Sequence, residues 1–326
     1  MVKPVNQVTS NNDGNGDKFS IMALESGIVY PDLESAPDEP LLIEMVGIKP
    51  EYFGPLSIKF EFDLEDLQDL LDLDERPRLQ IEDKFVMLVL RAPIDLNRED
   101  RDYSTKPVGI FTNGTDVIIL QHETIPLRQN RLKHLIRHST TVAEIIYNQL
   151  EIIIHSYETT LDIIEETIKV TEATIKKDIY PSHMDKFFRL SRDAIYLDAA
   201  LKGNMRVLRA LKRMQHFGRL IFDEDRLEEL EVDLQQQIEL SRIYRELIEN
   251  AMEIYDSIVG HNLNTVMKTL TAVSLLVSVP TLVASLYGMN VGLPLEQEPM
   301  AFVGIIGISI IMTFPFLIYL RMKNLL

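Results

Sequence analysis

Two uncharged runs near the C-terminus constrain this chain more than any other feature. No residue from Thr269 to Leu295 carries a charge, and a second such run extends from Pro299 to Leu320. Each is longer than the roughly 20 apolar residues that a helix needs to cross a bilayer. The competing reading is one buried hairpin in a large soluble core, where two such runs rarely sit back to back. The expectation is a first membrane span over 264–287, a loop over 288–299 and a second span over 300–320. A short C-terminal piece, 321–326, follows. Pro280 and Pro315 fall inside the spans, which is tolerable where neighbouring helices rescue the freed backbone groups. Gly304, Gly307 and Ser309 would let the second span pack closely.

The remainder of the chain is acidic. The sequence holds 50 acidic and 33 basic residues, a net charge of −17. From Asn264 onward the acids are Glu296 and Glu298 and the bases are Lys268, Arg321 and Lys323. The bases flank the two spans and the acids sit in the loop between them. By the excess of positive charge on the cytoplasmic side, both termini and the acidic body should be cytoplasmic and the loop outside. An acidic body argues against binding nucleic acid or an anionic membrane surface. With no cysteine there is no disulfide framework, thiol catalyst or Cys-based zinc site. Residues 1–25 lack an apolar core and read as a polar, disordered tail, not a signal peptide.

Residues 26–125 read as a small α/β domain. Leu41–Ile48, Ser57–Phe62 and Leu79–Arg91 are rich in strand formers. Val108–Phe111 and Asp116–Gln121 flank Thr112-Asn113-Gly114-Thr115, and Asn-Gly is a strong hairpin signal. A short helix, Leu64–Leu73, stops at Arg76-Pro77. Residues 126–222 read as helical, with apolar residues at helical spacing (Ile145, Leu150, Ile153, Ile154, Leu161, Ile164) and no Gly or Pro from Leu127 to Tyr180. A stalk helix over 223–263 runs into the first span. From Asp223 to Tyr287 it would be roughly 98 Å long at 1.5 Å per residue. The expected fold is an α+β membrane protein: a cytoplasmic α/β domain, a long stalk helix continuing into the first span, and a second C-terminal span.

The first span is two-faced. At about 100° per residue, Ser274, Ser278, Thr281 and Ser285 share a side with Met267 and Leu270, and Asn264 lies somewhat off the same line. Ala272, Leu276, Val279 and Val283 lie opposite. Hydroxyls turn toward a partner or toward water, not toward lipid. The bland alternative is small-residue packing between two helices. Stepping back by three or four gives Gly260, Ser257, Glu253, Asn250 and Glu246, all polar or glycine, where a coiled-coil seam would be apolar. A wet seam leading into a hydroxyl-lined span reads as a conduit. An acidic ring at Glu253 would favour cations, and Met267 and Leu270 would form a dry constriction.

Tyr287-Gly288-Met289-Asn290 ends the first span. With a second span close behind, it resembles the CorA family of magnesium channels, whose signature at this place is Gly-Met-Asn. The resemblance extends to Asn264-Thr265-Val266-Met267-Lys268-Thr269-Leu270-Thr271 and to Asp69-Leu70-Leu71-Asp72-Leu73-Asp74-Glu75-Arg76-Pro77-Arg78. It implies a homopentameric funnel in the cell (inner) membrane, each subunit giving one pore helix, that moves Mg2+, or in some members Co2+ or Ni2+, down its gradient. It also implies closure by intracellular Mg2+ bridging carboxylates of neighbouring subunits. Alignment on Arg-Pro puts one partner at Asp69. Counting back from the signature puts the other at Glu229, with Glu231 and Asp233 as shifted registers. The basic cluster after the second span is thin, only Arg321 and Lys323. The loop carries Glu296 and Glu298 in place of the more usual Met-Pro-Glu.

The chemistry agrees independently. Mg2+ is small, octahedral and slow to shed water, so a hydrated ion suits the neutral amide oxygen of Asn290. Gly288 would let the chain turn at the helix end. Met289 more naturally packs than binds, because a thioether is a poor magnesium ligand. The eight acids from Glu61 to Glu75 could equally be a solvated helix face. They lack the glycine and glutamate spacing of an EF-hand. His134 and His138 sit among Arg128, Arg131, Lys133 and Arg137, which would repel a metal. No catalytic motif is present, so an enzyme is not expected. The competing readings are a Co2+ or Ni2+ transporter of the same fold, a Zn2+ transporter disfavoured by Met289, and a membrane-anchored coiled-coil scaffold.

Overall fold

The computed structural model describes residues 18–95, 104–126, 141–175, 181–214, 216–217, 220–289, 292 and 300–322. It divides into two compact units, Met1–Ala251 and Met252–Leu326.

In the first unit seven strands form one sheet. They are β1 (Lys18–Ala23), β2 (Val29–Tyr30), β3 (Leu41–Val46), β4 (Arg78–Ile81), β5 (Val86–Pro93), β6 (Thr105–Thr112) and β7 (Val117–Gln121). Their order is β2-β1-β3-β7-β6-β5-β4, with β3 and β7 parallel and the other neighbours antiparallel. Helices α1 (Phe53–Phe60) and α2 (Leu64–Asp69) cover one face. There Phe53, Leu56, Phe60, Leu67 and Leu70 bury against Ile43, Met87 and Phe111. The alternate residues Val86, Leu88 and Leu90 are also buried. They face helices α3 (Val142–Ile175) and α4 (Pro181–Met214), which pack on β5. Burial on both faces explains why β5 reads as a continuous apolar run.

Three expectations are corrected. Residues 18–23, assigned to a disordered tail, form β1, which pairs with β3 from Lys18↔Val46 to Ala23↔Leu41. Ser57–Phe62, expected as a strand, lies mostly in α1. Its alternation coincides with helical spacing, since Phe53, Leu56 and Phe60 are buried while Ile58 is 84 % exposed. Leu79–Arg91 is not one strand but the β4–β5 hairpin, turned where Glu82 N donates to Phe85 O at 2.9 Å. The Asn-Gly hairpin between β6 and β7 is present. Gly114 has φ +91°, and Asn113 Oδ1 accepts from the backbone of Thr115 and Asp116 at 3.0 and 2.8 Å.

The helices dock on the sheet through polar groups at one point. Strand β4 pairs only as far as Val89 of β5, so beyond it the edge of β5 at Arg91 needs another partner. Asn204 of α4 supplies it: its Oδ1 accepts from Arg91 N at 2.9 Å and its Nδ2 donates to Arg91 O at 2.8 Å. Tyr157 of α3, wholly buried, donates its hydroxyl to the same carbonyl at 2.9 Å. Burial pushes the Tyr157 phenol well above its ordinary pKa. Next to Asn204, a Cβ on Gly203 would meet Pro77 Cγ at 2.6 Å, so α4 lies directly on the Arg76-Pro77-Arg78 turn. Asn204→Ala strips two hydrogen bonds from a buried backbone. It is expected to destabilise this unit by about 2–3 kcal/mol, read as a shift in urea unfolding of the detergent-solubilised chain.

A short hairpin, β8 (His216–Phe217) with β9 (Leu220–Ile221), leads from α4 to the long helix α5 (Glu224–Tyr287). At its start Tyr147 of α3 accepts from Asp223 N, donates to Asp223 O at 3.2 Å and carries the Arg226 guanidinium 4.4 Å over its ring. The stalk and the first span are thus one helix of 64 residues.

The second unit contains the end of α5 and α6 (Ala301–Met322). Both are long and apolar enough to cross a membrane, and only 6 % of the most apolar stretch of each is buried. A soluble core hairpin would bury most of that surface.

Candidate functional site: an ion pathway and an acidic cleft

The two faces of the first span have different surroundings. Ala272 and Val283 are buried, and Leu276 and Val279 are half-buried. Leu276, Pro280 and Ala284 share an apolar cavity of about 590 Å3 with Ile306, Ile310 and Phe314 of α6. Part of the apolar face therefore borders α6, while Val266, Val277 and Leu282 elsewhere on the helix are as exposed as the hydroxyl stripe. The predicted conduit residues Asn264, Met267, Leu270, Ser274, Ser278, Thr281 and Ser285 are all exposed, as is Glu253 further back. So are Gly260, Ser257, Asn250 and Glu246.

Two hydroxyls of the stripe, and others beside it, spend their protons on the helix's own backbone. Ser278 Oγ donates to Ser274 O and Thr281 Oγ1 to Val277 O, each at 2.8 Å. Thr271 Oγ1 does the same toward Met267 O at 2.8 Å. Each hydroxyl oxygen then presents lone pairs outward and acts as an acceptor. Acceptors of this kind suit the water protons around a hydrated cation.

The helix ends at Tyr287, which is half-buried, with Gly288 N donating to Ala284 O at 2.9 Å. The chain turns at Gly288 as expected, but without the positive φ that Gly27, Gly47 and Gly114 adopt. A Cβ on Gly288 would approach Ala284 O to 3.3 Å. Met289 is 53 % exposed. Asn290, Glu296 and Glu298 lie outside the described residues, as do His134 and His138.

The acidic segment lines a separate cleft of about 590 Å3, with Asp66 and Asp69 of α2 facing Gln80 and Glu82. Alternation along β4 puts Arg78 and Gln80 on one side of the strand. Asp66 and Asp69, three apart, share one face of α2. Gln80 Nε2 donates to both Asp66 oxygens at 3.2 and 3.3 Å, and Arg78 Nη2 to Asp69 Oδ2 at 2.7 Å. Arg78 also holds Glu75, and Lys84 holds Glu61 at 2.7 Å. Burial raises the Asp66 carboxyl above its ordinary range despite the Gln80 bond, with the charges of Asp63 and Asp69 adding to the effect. His122 bonds the residue that caps α2: its Nε2 donates to Leu70 O at 2.7 Å, and burial lowers its pKa.

Glu229 is exposed on α5. Its neighbours Glu228 and Glu231 receive Lys212 at 3.3 Å and Arg209 at 2.7 Å and line another cleft. Glu229 itself lines neither of these two clefts. Among the described residues no three His, Cys, Asp or Glu side chains are grouped to hold a metal ion. The sequence reading missed the donor ladder of Arg78, Gln80 and Lys84, whose only signal was alternation after Arg76-Pro77.

An α/β sheet domain, a long helix running into a first span and a second C-terminal span define a class of two-span membrane proteins. The profile of one family, the CorA-like Mg2+ transporter proteins, matches residues 47–322. The chain belongs to that family. It is 27 % identical over 310 residues to the cobalt/magnesium transport protein CorA of Methanocaldococcus jannaschii, covering 92 % of this chain and 96 % of the relative. The complete structure of the CorA magnesium transporter from the same organism matches with a TM-score of 0.76 at 26 % identity, over 93 % of this chain and 96 % of that one. The full-length CmaX protein shares the fold, with a TM-score of 0.65 at 17 % identity, over 91 % and 96 % of the two chains.

Proposed function

We propose that the chain is the subunit of a homopentameric channel that admits Mg2+ passively. The observation that carries this is the partition of the first span. Ala272, Leu276, Val279 and Val283 are at least half-buried and α6 lines a cavity on that side, which makes the exposed stripe from Asn264 to Ser285 available to a central axis. Five copies of that stripe would enclose a wet path lined by acceptors, with Glu253 rings at the inner end and Met267 and Leu270 as a constriction that closes by dewetting. A ring of Asn290 amides at the outer mouth would hold the hydrated ion without a charge to trap it. Lys268, Arg321 and Lys323 favour cytoplasmic termini. Glu296 and Glu298 would then draw cations to the outer loop.

Rising internal Mg2+ would close the channel by bridging Asp69 of one subunit and Glu229 of the next. Exposed carboxylate oxygens are the hard donors that this ion prefers. Unbridged, like charges repel and the ring loosens, which makes the interface a two-state element. The M. jannaschii relative is named for cobalt as well as magnesium. That favours Co2+ as a second cargo, with Ni2+ the next to test.

Ser278→Leu replaces an acceptor by a branched alkyl group in the middle of the stripe. It is expected to cut Mg2+ influx into proteoliposomes at least tenfold, while Ser278→Thr, which keeps the hydroxyl, stays within about threefold of native. Undiminished influx through Ser278→Leu would remove the stripe from the pathway.

A further inference from the structure

At the acidic cleft the Arg78 guanidinium is shared between two carboxylates. Nη2 binds Asp69 Oδ2 at 2.7 Å and Nη1 binds Glu75 Oε1. Its other contacts are weaker: Nε to Gln80 Oε1 at 3.5 Å and Nη2 to Met87 Sδ at 4.0 Å. The Arg78 side chain is 29 % exposed and that of Asp69 is 43 % exposed. The arginine is therefore the more anchored of the pair, and Asp69 is the member open to solvent. The anchoring comes from chain geometry. Arg78 begins β4, follows Pro77, and Pro77 is pressed under Gly203 of α4. A guanidinium held on a strand end cannot diffuse away from Asp69 as a solution cation would.

We propose that Arg78 is a tethered cation that competes with Mg2+ for Asp69 and so sets the internal Mg2+ concentration at which the channel closes. This rests on Asp69 being an acceptor of internal Mg2+, as proposed above. Arg78 forms a bidentate-capable, always-charged partner. A divalent ion arriving at Asp69 must displace one of its bonds or share the carboxylate against its positive charge. Either outcome weakens Mg2+ binding. An exchangeable internal counter-ion also keeps the cleft from being a like-charged surface when Mg2+ is low. The acidic run can then fold in α2 and its following turn without a metal. Gln80 hydrogen-bonds Asp66 and Lys84 pairs with Glu61, so of the acids facing this cleft Asp69 is the one whose partner is the anchored arginine.

The test uses the full chain in lipid nanodiscs titrated with Mg2+. The Mg2+ midpoint is read from thermal stabilisation and from protection against proteolysis, with inhibition of flux in proteoliposomes as a second readout. Arg78→Gln is expected to lower the midpoint about three- to tenfold, the scale of one partly exposed charge contact acting on a divalent ion. Arg78→Lys, which keeps the charge but loses the fork, should fall between Arg78→Gln and native and serves if the glutamine variant folds poorly. Asp69→Asn should raise the midpoint or abolish the transition. In the Asp69→Asn background, Arg78→Gln should add nothing. An unchanged or raised midpoint in both Arg78 variants would overturn the competition, because the arginine would then be support and not a rival. A midpoint shift by Arg78→Gln that persists in the Asp69→Asn background would also overturn it, because the arginine would be acting on another carboxylate. A native midpoint in Asp69→Asn alone overturns the assignment of Asp69 to internal Mg2+, and this proposal with it. That result is separable, because it leaves the single Arg78 variants without a carboxylate to explain them.

Discussion

Asn290→Ala is expected to lower Mg2+ influx at least a hundredfold while leaving the protein folded and assembled. Mg2+ binds water tightly in strict octahedral geometry, so a fast pathway reads the hydrated ion through its water shell. An amide oxygen accepts from that shell and carries no net charge. Each hydrogen bond contributes about 1 kcal/mol net, and a ring that loses three such contacts to one ion loses about 3 kcal/mol. That is roughly a hundredfold in occupancy or rate. The position suits the role. The last helical turn of α5 closes with Gly288 N on Ala284 O, and Met289 beyond it is exposed. The signature therefore begins where the helix stops. Alanine removes the acceptor without adding bulk, so folding should be unaffected. Asn290→Ala that conducts Mg2+ at the native rate would show that selection happens elsewhere along the stripe.

The second large effect concerns closure. Asp69→Lys is expected to leave flux running at millimolar internal Mg2+, raising the inhibitory concentration at least tenfold. The substitution places a fixed ammonium where a divalent ion would bridge two subunits, and it sets that ammonium beside Arg78, the present partner of Asp69 at 2.7 Å. Two like charges there oppose any third cation. Asp69 is partly exposed at the end of α2, so the change should cost little stability. Native-like inhibition by millimolar internal Mg2+ in a flux assay would remove Asp69 from the regulatory site.

What could be read from the chain follows from how each signal is encoded. The spans were legible because an uncharged, apolar stretch of 20 or more residues matches the thickness of a bilayer and exceeds what most soluble helices bury. The hairpin at Asn113-Gly114 was legible because the turn demands a positive φ that Gly114 supplies. The two-faced character of α5 was legible because a wheel needs only periodicity, and Ala272, Leu276, Val279 and Val283 do lie on the less exposed side. The failures have equally local causes. Strand β1 (Lys18–Ala23) mixes polar and apolar residues beside a polar tail and gains its order from pairing with β3, a contact that no window of sequence contains. Ser57–Phe62 satisfies both period two and the i, i+3, i+7 spacing of Phe53, Leu56 and Phe60, and burial of those three selects the helix. The acidic segment looked like a row of free charges. In the structure four of its eight carboxylates, Glu61, Asp66, Asp69 and Glu75, are matched by Arg78, Gln80 and Lys84, which follow it in sequence. Charge composition carries no information about such pairing. The pair of hydrogen bonds between Asn204 and Arg91, 113 residues away, is equally invisible in the chain.

Passive, potential-driven entry of Mg2+ is the property on which the channel reading depends. The direct measurement is Mg2+ uptake into proteoliposomes of the native chain, with an entrapped magnesium dye and no nucleotide, across a series of imposed potentials. An inside-negative potential acts on a divalent ion with about 4.6 kcal/mol per 100 mV, twice the single-charge value. Uptake should grow steeply with negative potential and stop when the potential is removed at equal Mg2+ on both sides. No uptake of Mg2+, Co2+ or Ni2+ at any potential would contradict the channel and leave the hydroxyl stripe as a packing surface of a membrane-anchored scaffold.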